Sequence, residues 1–222
     1  MRGRGTRGPF FVCAPRIAYR SGMTRAELAE QRNQRRAQAH AATRTAILEA
    51  AHRVAAREGA RDLSLRGVAA EAGFAPAALY GYFSGKDELL LALAAEDLST
   101  LARRMRDAFA HKEGAGRLAS ASEAALSSLR ETPSLAAALA AMPAHAGSSE
   151  AERLFNGRLI SVLKVLSESS GHRATTREEQ CDVVLTAAAL AGLALFARSG
   201  RLEALGFNAE ELAKRLEAHF AS

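Results

Sequence analysis

Apolar residues recur along this chain at intervals of three and four rather than in alternation, which predicts helices throughout. In TRTAILEAAHRVAAREGA the positions Ile47, Ala51, Val54 and Ala55 mark one helical face, and Gly59 supplies a left-handed stop. Ser64 then offers an N-cap to a helix of about two turns whose stripe is Leu65, Val68, Ala69 and Ala72, ended by Gly73. After the link Gly73-Phe74-Ala75, Pro76 suits the first position of a third helix, where its missing N–H costs nothing, and Leu79 with Phe83 forms the buried face. A fourth helix is expected from Ser84, with Asp87 at capping-box distance and Leu89, Leu90 and Leu93 following.

The same periodicity, broken by Gly, Pro and Ser, carries that helix over 87–110 and predicts further helices over 116–131, 133–141, 149–169, 176–199 and 208–220. Ala and Leu dominate the 48% of hydrophobic residues and Trp is absent, which keeps the class all-α. Two short helices joined by a Gly-containing turn, with a third behind them, make a helix-turn-helix plan. The expected architecture is therefore an N-terminal three-helix helix-turn-helix domain over 41–88 and a helical bundle over 89–222. Residues 1–40 are expected to be a basic, disordered arm.

The run Ser64-Leu65-Arg66-Gly67-Val68-Ala69, Gly73-Phe74-Ala75-Pro76-Ala77-Ala78-Leu79-Tyr80-Gly81-Tyr82-Phe83 and Lys86-Asp87-Glu88-Leu89-Leu90 resembles the TetR family of transcriptional regulators over about fifty residues. That resemblance implies a homodimer on double-stranded operator DNA, with a recognition helix in each of two successive major grooves. It further implies a divergent C-terminal domain whose small-molecule effector releases the DNA. On matching positions, Ser64, Tyr80, Tyr82 and Lys86 would touch phosphates, and Pro76, Ala77, Ala78 and Gly81 would face the groove. Arg44 would anchor the start of the first helix on the DNA backbone or in the adjacent minor groove.

Departures from the family pattern sharpen the expectation. Ala75 stands where a hydroxyl usually caps the recognition helix, forgoing about 0.5 to 2 kcal/mol. Ala77, Ala78 and Gly81 offer no side-chain donors or acceptors, so Arg–guanine and Asn–adenine pairing is excluded there. Specificity would then rest on Arg66, on arginines of the arm in the minor groove, on the tyrosines and on DNA shape. Tyr80 and Tyr82, two apart on a helix, cannot both point inward.

Charge supports this reading. Residues 1–46 hold ten Arg (2, 4, 7, 16, 20, 25, 32, 35, 36 and 44) against Glu27 and Glu30, or +8 within a total of +6. A basic arm on a nearly neutral body is the footprint of a polyanion binder, or else of a solvated tail. The apolar run 9–15 is too short for a secretion signal, and 183–197 too short for a membrane span, which leaves a cytoplasmic protein as the expectation. Met23, opening a helix-friendly stretch, is a candidate start, with 1–22 an upstream extension.

The segment 187–197 is apolar nearly all round and must be buried on several sides. It resembles the penultimate helix through which many family members dimerise, and the expected interface residues are Leu190, Leu193, Leu195 and Phe196 with Leu212 and Leu216 of the last helix. Candidate effector contacts are Leu101, Met105, Phe109, Leu135, Leu139, Met142, Phe155, Leu159 and Val162, large adaptable side chains among many Ala, for a mainly apolar or aromatic ligand.

Enzyme chemistry finds no support. The six His are scattered, Glu49-Ala50-Ala51-His52 is a single E-x-x-H where a di-iron bundle needs two, and P-loop, dinucleotide and Gly-x-Ser-x-Gly signatures are absent. Cys13 and Cys181 make no metal spacing, so neither metal nor cofactor is expected. The competing reading is a helical interaction protein that keeps the fold without specific operator binding.

Overall fold

The computed structural model describes residues 24–114, 116–132, 134–135, 137, 149–171 and 174–220. Every regular element among them is helical: α1 (Arg25–Glu58), α2 (Leu65–Ala72), α3 (Pro76–Leu79), α4 (Lys86–Phe109), α5 (Gly116–Glu131), α6 (Glu150–Ser169), α7 (Arg177–Arg198), α8 (Arg201–Ala204) and α9 (Ala209–Phe220). The protein is all-α, a helix-turn-helix followed by a helical bundle, as the periodicity predicted.

The chain divides into two units, one up to Ala41 and one over Ala42–Ser222. Within the first, residues 25–40 correct the expectation of disorder, for they belong to the 34-residue α1. A capping box starts that helix: the Thr24 N–H donates to Glu27 at 2.6 Å and the Glu27 N–H to the Thr24 hydroxyl at 3.2 Å. All side chains over 24–42 are exposed, so the stretch offers no apolar stripe by which periodicity could reveal it. Residues 1–23 lie outside the described residues.

In the second unit one hydrophobic cluster runs from Ile47 and Leu48 through Leu79, Phe83 and Leu93 to Phe155, Leu166, Leu190 and Ala213. The first half of α4 is buried on all sides from Leu89 to Ala95. α4 packs lengthwise on α6 and α5, while α7 lies against α5, α6 and α9. Capping boxes Ser149–Glu152 and Thr176–Glu179 open α6 and α7. The box expected at Ser84 and Asp87 does not form: Gly85 takes the N-cap position, and the Ser84 N–H and hydroxyl instead donate to the Glu88 carboxylate at 2.7 and 2.6 Å.

Among the described residues, α7 alone is long and apolar enough by composition to cross a membrane. It carries a buried stripe of Thr186, Leu190, Ala194 and Ala197 and an opposite exposed stripe that includes Val184, Leu185, Leu195 and Phe196.

Candidate nucleic-acid interface

The geometry of the recognition segment follows from three local devices. Ser64, in extended conformation, caps α2 by accepting the Gly67 N–H at 3.1 Å, a bond worth about 1 kcal/mol. At the other end Gly73 is left-handed with φ 75°, a conformation that an L side chain adopts only with strain, and the Phe74 N–H closes back on the Ala69 carbonyl at 2.9 Å. Pro76 then opens α3 behind Ala75, which makes no side-chain cap bond.

α3 has four residues, too few to hold by propensity. Burial fixes it instead: Leu79 is 0% and Phe83 1% exposed, each side chain contributing about 1.5 to 3 kcal/mol, and the Tyr82 and Phe83 N–H groups both donate to the Leu79 carbonyl at 2.9 Å. With the inner face so pinned, Pro76, Ala77, Ala78, Tyr80 and Gly81 all stand exposed on the outer side. Tyr80 is 64% exposed, whereas Tyr82 is half-buried and packs against the core. The two tyrosines thus divide as their spacing required.

Arg66 is exposed in the first turn of α2. Arg44 is half-buried, and its guanidinium lies over the Phe83 ring at 5.1 Å. Lys86, in the first turn of α4, donates through Nζ to the Arg61 carbonyl in the α1–α2 loop. That bond gives a structural reason for a cation where the helix dipole disfavours one. α2 is tied to α1 by Glu71, which accepts from Arg53 at 2.8 Å and Arg57 at 3.2 Å; the two guanidinium groups hold its carboxyl below the usual range.

The arginines of residues 1–23 lie outside the described residues. Arg25, Arg32, Arg35 and Arg36 sit on helix rather than on an extended arm. A helix about 10 Å across cannot enter a minor groove about 6 Å wide, so this stretch does not have the extended form that insertion of an arm requires. The spacing of these four arginines puts them on one side of α1, with Glu27 and Glu30 on the other.

Among the candidate effector contacts, Leu101, Met105, Phe109, Phe155 and Val162 are buried in the core, and Leu159 packs against it half-buried. Leu135 alone of the set lines a described cavity, of about 300 Å³, with Leu129, Thr132, Ala191, Gly192, Ala194, Leu195 and Arg198. Leu139 and Met142 lie outside the described residues. The small residues of α7 make this hollow, while the large side chains named as effector contacts on α4 and α6 pack in the core.

Of the expected dimer residues, Leu195 and Phe196 are exposed at 58% and 48%, and Leu193, Leu212 and Leu216 are half-buried. Leu190, at 2%, faces the chain's own core and has no surface to offer. Val184 and Leu185, at 52% and 57%, join the exposed stripe and were missed because every face of α7 reads as apolar. No group of His, Cys, Asp and Glu among the described residues could hold a metal ion.

Residues 47–93 match the family model described as bacterial regulatory proteins, tetR family. The N-terminal domain is a TetR-family helix-turn-helix. Solved structures extend the likeness across the bundle. A TetR transcriptional regulator from Rhodococcus sp. RHA1 is 21% identical, with a TM-score of 0.61 over 80% of this chain and 94% of that one. A TetR-family regulator from Streptomyces coelicolor is 20% identical, with a TM-score of 0.58 over 82% and 99%. The transcriptional regulator FadR from Bacillus subtilis, solved in complex with stearoyl-CoA, is 19% identical, with a TM-score of 0.55 over 80% and 97%. No curated protein sequence matches the chain. The fold is that of TetR-family transcriptional regulators.

Proposed function

We propose that this protein is a DNA-binding repressor that grips a palindromic operator as a homodimer and lets go when a small, mainly apolar effector binds. The observation that carries the reading is the outward face of α3, where Pro76, Ala77, Ala78, Tyr80 and Gly81 stand exposed on a segment whose inner side is locked by Leu79 and Phe83. Ser64, Arg66, Tyr80, Tyr82, Lys86 and Arg44 are the proposed contacts around it, with residues 41–88 as the DNA-binding domain and 89–222 as the sensing and dimerising one.

The flat, donor-poor tip of α3 reads thymine methyl groups at most, so discrimination falls to the flanking residues and to DNA shape. Dimerisation is supported by the exposed stripe of α7 with Val184, Leu185 and Phe196, apolar area of the kind an obligate interface covers, while Leu195 at its edge borders the hollow. The effector site is the hollow beneath Leu129 and Leu135. Release follows when the occupied dimer no longer spaces its two α3 segments by the roughly 34 to 36 Å between successive major grooves.

Fluorescence anisotropy with a fragment of the protein's own promoter region, against random DNA of equal length, tests the reading. Preference for the promoter fragment, with affinity falling steeply as salt rises, is expected. Equal binding to both, or none, would favour a helical interaction protein without operator specificity.

A further inference from the structure

The hollow assigned to the effector does not end at Arg198. A second one, of about 380 Å³, shares Leu195 and Arg198 with it and reaches the α1–α2 loop at Gly59, Ala60, Arg61 and Asp62. The two adjoin along those side chains as one cleft, mostly apolar throughout, with charged groups at the second end alone but for Arg198. Leu129, Leu135, Ala191 and Ala194 wall the apolar end, and Arg198 and Arg61 line the polar end with Asp62 as its carboxylate.

Three observations fix the character of the polar end. First, among the described ion pairs neither arginine is engaged and neither is Asp62, so two guanidinium charges stand against one carboxylate and the end is net positive. Secondly, the loop is held in place: Gly59 turns it with φ 91°, Ala60 is 3% exposed, and Lys86 Nζ donates to the Arg61 carbonyl. Thirdly, the C-terminus of α7, whose carbonyls would repel an anion, is partly satisfied. The Ser199 N–H donates to the Leu195 carbonyl, the Gly200 N–H to Ala197, and the Ser199 hydroxyl to Phe196. Arg198 also borders a polar hollow carrying Glu131 and Glu210, but Glu131 is bonded to Arg104 at 2.8 Å.

We propose that this cleft binds an amphipathic monoanion, its alkyl or aryl body between α5 and α7 and its carboxylate on Arg198 with Arg61 beside it. The proposal rests on the effector reading of the apolar end and adds both the charge of the ligand and its reach. The headgroup lies against the α1–α2 loop, whose last residue, Ser64, caps α2. A ligand seated there bears on the helix-turn-helix through one short segment, without relay through the bundle.

Isothermal titration calorimetry of the full chain with dodecanoate, dodecan-1-ol and dodecyltrimethylammonium separates head from tail. One dodecanoate per chain is expected, bound about tenfold more tightly than the alcohol, with the cation weakest, because a charge-assisted guanidinium–carboxylate bond distinguishes the first two. Arg198→Gln should bring dodecanoate down to the alcohol while leaving the alcohol unchanged, and Arg61→Gln should do so in part. Leu135→Arg should abolish both and marks the apolar end. The proposal is overturned if dodecanoate does not bind, if the alcohol binds as tightly in the native protein, or if Arg198→Gln keeps the preference while its helical circular dichroism is unchanged. Promoter binding by the ligand-free protein, measured separately, bears on the regulator reading alone: its loss with the carboxylate preference intact would remove that reading and leave the cleft.

Discussion

His52 of α1 and Asp97 of α4 face each other across the junction of helix-turn-helix and bundle, with 3.7 Å between Nδ1 and the carboxylate. Glu96 lies 3.6 Å from the other ring nitrogen, and the Ser134 hydroxyl donates to Asp97. The contact with Glu96 chiefly raises the His52 pKa above its ordinary 6.5; burial opposes this, and the charges of Asp97 and Glu96 add to it. Burial also raises Asp97, against the pull of Ser134 and His52.

The sign of the pH effect follows. A histidine raised on folding stabilises fully below its unfolded pKa and loses that contribution as pH climbs through the folded one. A raised carboxyl acts in the same direction at lower pH, since its buried charge is paid for only once it ionises. The native protein should therefore lose stability relative to His52→Gln as pH is raised above about 6.5, read as the difference in urea midpoints. A constant difference above that pH would mean that His52 does not titrate against these carboxylates.

Arg44 over Phe83 joins the start of the packed part of α1 to the residue that closes the recognition segment. Arg44→Lys keeps the charge but loses the planar stacking, so a loss of about 0.5 to 1 kcal/mol in stability is expected. If Arg44 also touches phosphate, Lys retains most of the DNA affinity and Ala loses it. Thermal unfolding beside anisotropy on the same two variants separates the roles; equal DNA affinity for Lys, Ala and native protein would confine Arg44 to packing.

The helix-turn-helix was legible because its punctuation is chemical. Gly73 takes the one left-handed turn, Pro76 can only begin a helix, and Leu79 with Phe83 has a single way in. Residues 25–40 were not legible as ordered, since a helix with no buried face has no apolar period, although Thr24 and Glu27 already spelled its cap. The cavity was hidden for the opposite reason. Large side chains such as Met105 and Phe155 advertise volume, but they fill the space between α4 and α6, while the space left empty is bounded by Ala191, Gly192 and Ala194. On α7, apolar residues on every face concealed which stripe turns outward, so Leu190 was assigned outside and Val184 was overlooked.

The arginines of α1 give a test of electrostatics without structural change, because their side chains are exposed. Replacing Arg32, Arg35 and Arg36 by Gln keeps a helix-compatible residue at each site. Promoter affinity should fall, and the slope of log affinity against log salt should flatten by about 0.9 for each phosphate contact removed. Random DNA should lose affinity by the same factor, since phosphates carry no sequence information. An unchanged slope would show that this face of α1 does not meet DNA.

Ala75 is the weak point of the recognition segment and the simplest place to strengthen it. Its backbone, at φ −66° and ψ 138°, is already in the extended region that an N-cap requires, and its side chain makes no cap bond. A serine there can accept an N–H from the first turn of α3, so Ala75→Ser should stabilise the fold by about 0.5 to 2 kcal/mol. The cap oxygen would accept from Ala77 or Ala78, and because the Ala78 N–H already donates to the Ala75 carbonyl at 2.9 Å, the lower part of that range is the expectation. Ala75→Val, which keeps the extended backbone without supplying an oxygen, should not stabilise. Urea midpoints of the two variants decide the matter. A serine no better than valine would place the weakness of α3 in its length of four residues rather than in its missing cap.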